Sequence, residues 1–292
     1  MGPLWDMCKD GFEFVSYSSP TAAVLQEIEA LVESVEGGTG IVSAISFDHV
    51  LNCDKEMDCY FLAYAGSLLV GAATVFAPKA DEGEIALCVR ADHRRCGIGS
   101  ALLAHAIEVL DRHRVASRIL ICDAKSVSGA SFVRTHATTE LFSEYTMGLS
   151  GGLPANVEGD VAIRVATDAD VPRMAEICAA AYGDPLAESR QFIETSMIAV
   201  QREGYVGSVG TDLVAVCFIS TSAGARSVNT VAVDPRFQGR GYGREFLTKI
   251  LHAQPRDGLK VVLDVNSTNA NAFRLYVRLG FEILSDIRYY RV

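Results

Sequence analysis

Along the chain, short runs of alternating apolar and polar residues give way to apolar positions three and four apart, and the switch recurs. In "VAIRVA" (161–166) the alternation predicts a strand, and "ATDADVPRMAEICAAAY" (166–182) predicts a helix introduced by a Thr/Asp capping segment. A second helix is expected around Pro185 to Ser196. Strand patterns follow in "GYVGSVG", "LVAVCFIS" and "SVNTVAV", the last ending at Val233. From about Gly241 a helix puts Phe246, Leu247, Ile250 and Leu251 on one face. "KVVLDV" then reads as a strand, Asn269 to Leu279 as a helix, and "FEILSDIRYYRV" as one or two closing strands.

The stretch "VAVDPRFQGRGYGREFLTKI" (231–250) has a partner in "IALCVRADHRRCGIGSALLAHAIEVL" (85–110). Val233, Gln238, Gly241 and Gly243 match Val89, Arg94, Gly97 and Gly99, each 144 residues earlier. Self-similarity at that length means two copies of one fold rather than a solenoid. Between them "LSGGLPANVEGD" (149–160) mixes Gly, Pro and Asn without an apolar period and reads as a linker. The expected domains are 1–150 and 157–292. Each is α/β, a mixed, mainly antiparallel sheet flanked by helices, with a strand-turn-helix-strand crossover.

Length and composition agree with this. The 292 residues suit two domains, and 49% apolar with 21% charged residues predicts cores rather than disorder. A net charge of -10 would repel a nucleic-acid backbone or an anionic membrane, so neither is an expected partner. No apolar run is long enough to span a bilayer, and the first residues lack the basic and apolar regions of a secretory signal. The 8 cysteines form no Cys-x-x-Cys pair and the histidines do not join them at metal-ligand spacing. A reducing cytoplasm and no metal are the expectations, and the oligomeric state stays open between monomer and homodimer.

The glycine turn carries the chemistry. A helix entered through Gly239, Gly241 and Gly243 offers free backbone N–H groups and the positive end of its dipole, with Arg240 and Arg244 adding charge. Such a turn holds a phosphate or pyrophosphate. Neither copy has the Lys-Ser/Thr of a Walker A loop, and a Rossmann fingerprint fails at Arg244 and at Leu102. Both copies do have Gln or Arg, two residues, Gly, one residue and Gly, placed five residues after a strand-ending valine.

That pattern, in "QGRGYG" (238–243) and "RRCGIG" (94–99), resembles the coenzyme A pyrophosphate loop of the GNAT superfamily of N-acetyltransferases. "LDVNSTNANAFRLYVRLGF" (263–281) is similar to the family's next strand and helix, with Asn269, Ala272, Leu275, Tyr276, Gly280 and Phe281 in register. In its two-copy architecture the chain is similar to the mycothiol synthases, and its C-terminal half to the ribosomal-protein alanine acetyltransferases. The resemblance implies acetyl-CoA as co-substrate and a primary amine of a small molecule or peptide as acceptor. It places the pantetheine arm along Val231, Ala232 and Val233, and the pyrophosphate at Gln238, Gly239, Arg240, Gly241, Tyr242, Gly243 and Arg244. Asn269 would cap the last helix and contact the coenzyme. Tyr276 takes the general-acid position, although its helical spacing with Ala272 and Leu279 also suits a core phenol with a satisfied hydroxyl.

The family's base is missing, since Ser227 stands where a Glu is often found, and Glu188, Glu194, Asp212, an ordered water or the other half remain open as its source. The N-terminal copy departs further, with Thr135 opposite Tyr276 and Thr139 opposite Gly280. It is expected to keep the fold and lose catalysis, with Glu84 a solvated residue at a strand start. The alternative is a protein that binds acyl-CoA as a regulator or scaffold without turnover. Substrate-side candidates in the active half are Tyr182, Asp184, Glu188, Tyr205, Tyr289 and Tyr290.

Overall fold

The computed structural model describes residues 4–5, 11–150, 152–155, 158–222, 224–255 and 257–292 of the chain. They divide into two compact units, Met1–Glu144 with Ser285–Val292, and Tyr145–Leu284.

In the first unit the chain runs β1 (Leu4–Trp5), β2 (Glu13–Tyr17), α1 (Ala22–Glu36), β3 (Tyr60–Ala65), β4 (Leu68–Phe76) and β5 (Glu82–Val89). Then come α2 (Ile98–Arg112), β6 (Ser117–Asp123), α3 (Val127–His136) and β7 (Thr139–Leu149). Strands β1 to β5 pair antiparallel in chain order, and β6 joins β5 in parallel. A parallel partner requires a crossover, and α2 supplies it.

The second unit repeats the plan: β8 (Val161–Val165), α4 (Val171–Tyr182), α5 (Leu186–Ile198), β9 (Arg202–Val209), β10 (Asp212–Ser222) and β11 (Ala225–Val233). It continues with α6 (Tyr242–Ala253), β12 (Lys260–Asn266), α7 (Ala270–Arg278) and β13 (Phe281–Arg291). Strands β8 to β11 are antiparallel and β12 pairs parallel to β11. Alternation along β10 serves two cores. Cys217 and Ile219 pack with Phe246, Leu247 and Ile250 of α6, while Val216 and Phe218 pack with Met174, Ile177 and Ile193 of α4 and α5.

Two features differ from the sequence expectations. The division at 1–150 and 157–292 is not how the units close. β7 leaves the first unit after Glu144, and β13 leaves the second after Leu284 and ends in the first. Both strands are 11 residues long, about twice the common length, so each is long enough to be shared between the two units. Tyr289, expected on the substrate side of the C-terminal half, accordingly belongs to the first unit. It stacks on Phe142 with ring centroids 4.4 Å apart and donates its hydroxyl to Glu144 at 3.0 Å. Tyr290 likewise packs against the first unit's core. The second difference is that the first unit has no counterpart of α5. Only a short 3-10 turn at His49–Leu51 interrupts the irregular chain between α1 and β3.

The helix boundaries follow local chemistry. Thr167 and Asp170 form a reciprocal capping box before α4, and Arg164 grips the same Asp170 with both guanidinium nitrogens, at 2.6 and 2.7 Å. Gly183 ends α4 at φ 80°, where a side chain would be strained.

Candidate active site

The two loops that follow β5 and β11 have the same construction. Each strand ends in a valine, passes through a 3-10 turn (Ala91–His93 or Pro235–Phe237), and enters its helix through a left-handed glycine, Gly97 at φ 81° or Gly241 at φ 87°. A side chain clasps each turn back onto its strand. Gln238 Nε2 donates to the Val233 carbonyl at 2.8 Å, and Arg94 Nε donates to the Val89 carbonyl at 3.0 Å. Thus Gln238, predicted to contact the coenzyme, spends one donor on shaping the loop.

Neither α2 nor α6 has a side-chain N-cap. The first intrahelical bond of α6 runs from Glu245 N to the Gly241 carbonyl, which leaves the N–H groups of Tyr242, Gly243 and Arg244 facing out of the helix end. Space above Gly239 and Gly241 is open, and a side chain at either would stand in the cradle. Gly243 serves packing instead: a Cβ there would lie 3.3 Å from Val233 and 3.7 Å from Leu275, so the first turn of α6 sits directly on α7. Tyr242 lends its backbone while its ring packs partly into the core, and Arg240 rests over the Phe237 ring at 5.5 Å. Arg244 is exposed. An anion of pyrophosphate size fits this set of donors.

Beside the cradle, β11 parts from its parallel neighbour. Pairing with β12 covers Ala225–Ser227, after which Val228–Val233 keep only the β10 register among the described pairings. Between Val216 and Phe218 of β10 the register skips, and Thr230 of β11 takes φ 51°. This β-bulge turns backbone polar groups out of the ladder. The Val231 carbonyl accepts the Tyr182 hydroxyl at 3.0 Å, while Ala232 is buried toward α4 and Val231 and Val233 lie partly buried toward α6.

Helix α7 brings Tyr276 to this opening. Tyr276 is 6% exposed, lies edge-on to Phe281 at 6.1 Å, and its hydroxyl makes no hydrogen bond to a described residue. Burial pushes its phenol well above the ordinary value, with the neighbouring Cys217 thiol adding to the shift. The core role with a satisfied hydroxyl is therefore half met: the ring is core and the hydroxyl is unpartnered. Asn269 is the N-cap of α7, its Oδ1 accepting from Ala272 N at 3.0 Å, which leaves its amide nitrogen for a ligand.

The carboxylates around the site are engaged elsewhere or remote in the fold. Asp234, 4% exposed at the end of β11, is held by Arg236 and Arg173, and these hydrogen bonds keep its carboxyl far below the usual carboxylate range. Glu194 pairs with Arg190 on α5 at 2.8 Å, Glu188 is exposed, and Asp212 lies where β10 begins. Tyr205 donates to Glu203 and packs on the α6 face, away from α4 and α5.

The first unit contains a cavity of about 390 Å³ at its own cradle. Its wall includes Leu87, Cys88 and Val89 of β5, the turn residues Arg94, Arg95 and Gly97, and Phe132, Thr135 and His136 of α3. Here too the parallel register, Glu82–Ile85 with β6, stops short of the valine. Ile41, Val42 and Ser43 complete the wall, with Val42 N held by the buried Asp123 carboxylate at 2.8 Å. Ser100 and His136 meet at 3.0 Å beside the start of α2. Glu84, expected to be a solvated residue, is half-buried, and burial followed by repulsion from Glu82 and Glu144 raises its carboxyl to about 7.

Comparison with known proteins gives a consistent picture. The model of the acetyltransferase (GNAT) family matches residues 31–131 and again 172–281. The chain is 37% identical over 143 residues to N-alpha-acetyltransferase RimI of Mycobacterium tuberculosis, covering 45% of this chain and 85% of that protein. To mycothiol acetyltransferase of Kineococcus radiotolerans it is 28% identical over 222 residues, 71% of each. A GCN5-related N-acetyltransferase structure from Sphaerobacter thermophilus superposes with a TM-score of 0.79 at 18% identity, covering 98% of this chain and 96% of that one. A tandem GNAT protein from the clavulanic acid biosynthesis pathway gives 0.71 at 17% identity, with 96% and 98% covered. At those identities the two structures bear on fold alone. Among the described residues no helix is long and apolar enough to cross a membrane.

Proposed function

Because the chain belongs to the acetyltransferase (GNAT) family, we propose that it carries an acetyl group from acetyl-CoA to a primary amine of a small molecule or peptide, with the chemistry in its C-terminal copy. The observation that carries this reading is the buried Tyr276 phenol, unpartnered and set on α7 beside the parted β11 and β12. The thioester supplies an acyl group joined to a good leaving group, and the protein's part is to place it and to manage two protons.

The N–H groups opening α6, with Arg240 and Arg244 nearby, hold the pyrophosphate, and Gln238 keeps the loop in shape. Backbone groups of Val231, Ala232 and Val233 pair with the pantetheine arm, and Asn269 contributes its free amide nitrogen. A backbone N–H at this bulged end of β11 faces the carbonyl oxygen as it gains charge. As the C–N bond forms and the C–S bond breaks, Tyr276 donates its proton to the departing sulfur, and the amine releases one to solvent. With its pKa raised, the phenol stays loaded with a proton throughout the neutral range. Ser227 cannot act as the carboxylate base, so the amine proton leaves through water.

The N-terminal copy we read as a site that binds without turnover. The cavity of about 390 Å³ beside a clasped loop favours retained binding of a coenzyme-type ligand, and Thr135 in place of a phenol removes the acid. Release of free thiol from acetyl-CoA across a panel of amines, with Tyr276→Phe in parallel, tests the reading. Amine-dependent release that the variant loses supports it; acetyl-CoA binding with no release for any amine leaves a regulator or scaffold.

A further inference from the structure

The cavity of the first unit runs through its sheet rather than along it. Past Ile85 and Leu120 the parallel pairing of β5 and β6 ends, and Leu87, Cys88 and Val89 line the cavity from one strand, Ile121 and Cys122 from the other. Along β5, Gly83 lies against Leu110 of α2, so Leu87 and Val89 share the α2 face by alternation. Cys88 takes the opposite face, where Glu36, the last residue of α1, is its charge neighbour. A cavity lined by successive strand residues of both faces passes between the strands.

Its two ends differ in chemistry. On the α2 face stand His93, Arg94 and Arg95 and the uncapped helix start at Gly97, which suit an anion. At the other end stand Val35, Ile41 and Val42. Val42 is 41% exposed, yet its place is fixed by a strap of backbone donors. Its own N–H goes to Asp123 at 2.8 Å, that of Ser43 to Glu36, and that of Ser46 to the Thr74 hydroxyl at 3.1 Å. Between them Ala44 sits at φ 56°, a region that a residue with a side chain adopts only where its surroundings impose it.

This end offers nothing to a cationic amine. Asp123, the acidic side chain in the wall, is 2% exposed and spends one oxygen on Val42 N and the other on Lys125 N at 2.7 Å. Burial pushes the Cys88 thiol up to about 12 and the Cys122 thiol to about 11, so both stay neutral. Anion donors at one end and a neutral apolar wall at the other suit an amphiphile with a phosphate head and a hydrocarbon tail. An acetyl group has one methyl beyond its carbonyl, too little to cover Val35, Ile41 and Val42 together.

We propose that the N-terminal copy binds an acyl-CoA whose straight acyl chain is longer than acetyl, with the chain against Val35, Ile41 and Val42. This rests on the reading of that copy as a site that binds a coenzyme-type ligand without turnover, and adds what the ligand carries.

The test is a calorimetric titration of Gly241→Glu protein, whose C-terminal cradle is blocked, with coenzyme A, acetyl-CoA, butyryl-CoA and hexanoyl-CoA. Each added methylene is expected to tighten binding by about fourfold until the chain fills the cavity, so hexanoyl-CoA should bind at least about tenfold tighter than acetyl-CoA. Val42→Asp, added to this protein, puts a charge at the apolar end and should bring hexanoyl-CoA back to the affinity of acetyl-CoA. Val42→Trp fills the same end and should move the best chain from hexanoyl to a shorter one. Equal affinities for acetyl-CoA and hexanoyl-CoA overturn the proposal while leaving the N-terminal copy a coenzyme site. A preference unchanged in both Val42 variants, or one that survives addition of Gly97→Glu, also overturns it, since the chain then lies elsewhere. No binding of any of these ligands by Gly241→Glu protein, with a single site in wild type, sinks the reading of the N-terminal copy and the proposal with it.

Discussion

The cradles after β5 and β11 are built alike and equipped differently. Both have a left-handed glycine, an uncapped helix end, a clasping side chain and a parallel strand that parts before its last residues. Beyond that frame they diverge. The C-terminal copy offers Tyr276 and a bulged strand; the N-terminal copy offers Thr135, a walled cavity and a half-buried Glu84 where its counterpart has Val228, 4% exposed. Even an ion pair is reversed, Arg90 with Asp92 in one and Asp234 with Arg236 in the other. The frame is set by what an anion needs from backbone, which many sequences can supply, whereas proton transfer depends on single side chains and is lost with one substitution.

The sharpest way to break the comparison is to put a carboxylate in each cradle. Gly241→Glu places a negative charge where an anion should sit and a side chain at a φ that disfavours one, and is expected to cut turnover by roughly a hundredfold or more. Gly97→Glu should change the rate little and remove one of two coenzyme sites in a calorimetric titration. The reverse result would move the active site to the first unit.

Tyr276→Phe comes next, with an expected loss of about tenfold or more in kcat and a coenzyme Kd nearly unchanged. Unaltered turnover would return the phenol to the core. Smaller still is the clasp. Gln238→Ala leaves the Val233 carbonyl unpaired, and a loss of about 1 kcal/mol in coenzyme binding is expected, a several-fold rise in Kd measured by titration. Arg94→Ala should have the parallel effect on the N-terminal site alone.

The mildest difference is one of pH. Glu84 titrates near 7 when folded, above its ordinary 4.5, so between these values the folded chain binds more protons than the unfolded one. Stability linked to this group is present in full below about 4.5 and lost as pH rises through about 7. Thermal melting between pH 5 and 8 should therefore fall with pH more steeply in wild type than in Glu84→Gln. Identical slopes would show that the carboxyl is solvated after all.

Much of this was legible in the chain. Glycines at fixed spacing, valines ending strands and apolar faces on α6 and α7 are local patterns, and each specifies backbone geometry through sterics and burial without reference to distant residues. They sufficed for two copies of one α/β fold and for the anion cradle. What they could not reveal depends on contacts between segments far apart in sequence. The unpartnered hydroxyl of Tyr276 and the raised carboxyl of Glu84 are each defined by which groups fail to reach them. β7 and β13 each divide between two units, which the sequence could not show because a strand's alternation specifies its faces and not its partners. The bulge at Thr230 carries no glycine to announce it and exists because β10 and β11 pair out of step. Sequence alone determined the cradle, since it is made of backbone; tertiary structure decided the chemistry around it, since burial and the absence of a partner are properties of the packed molecule.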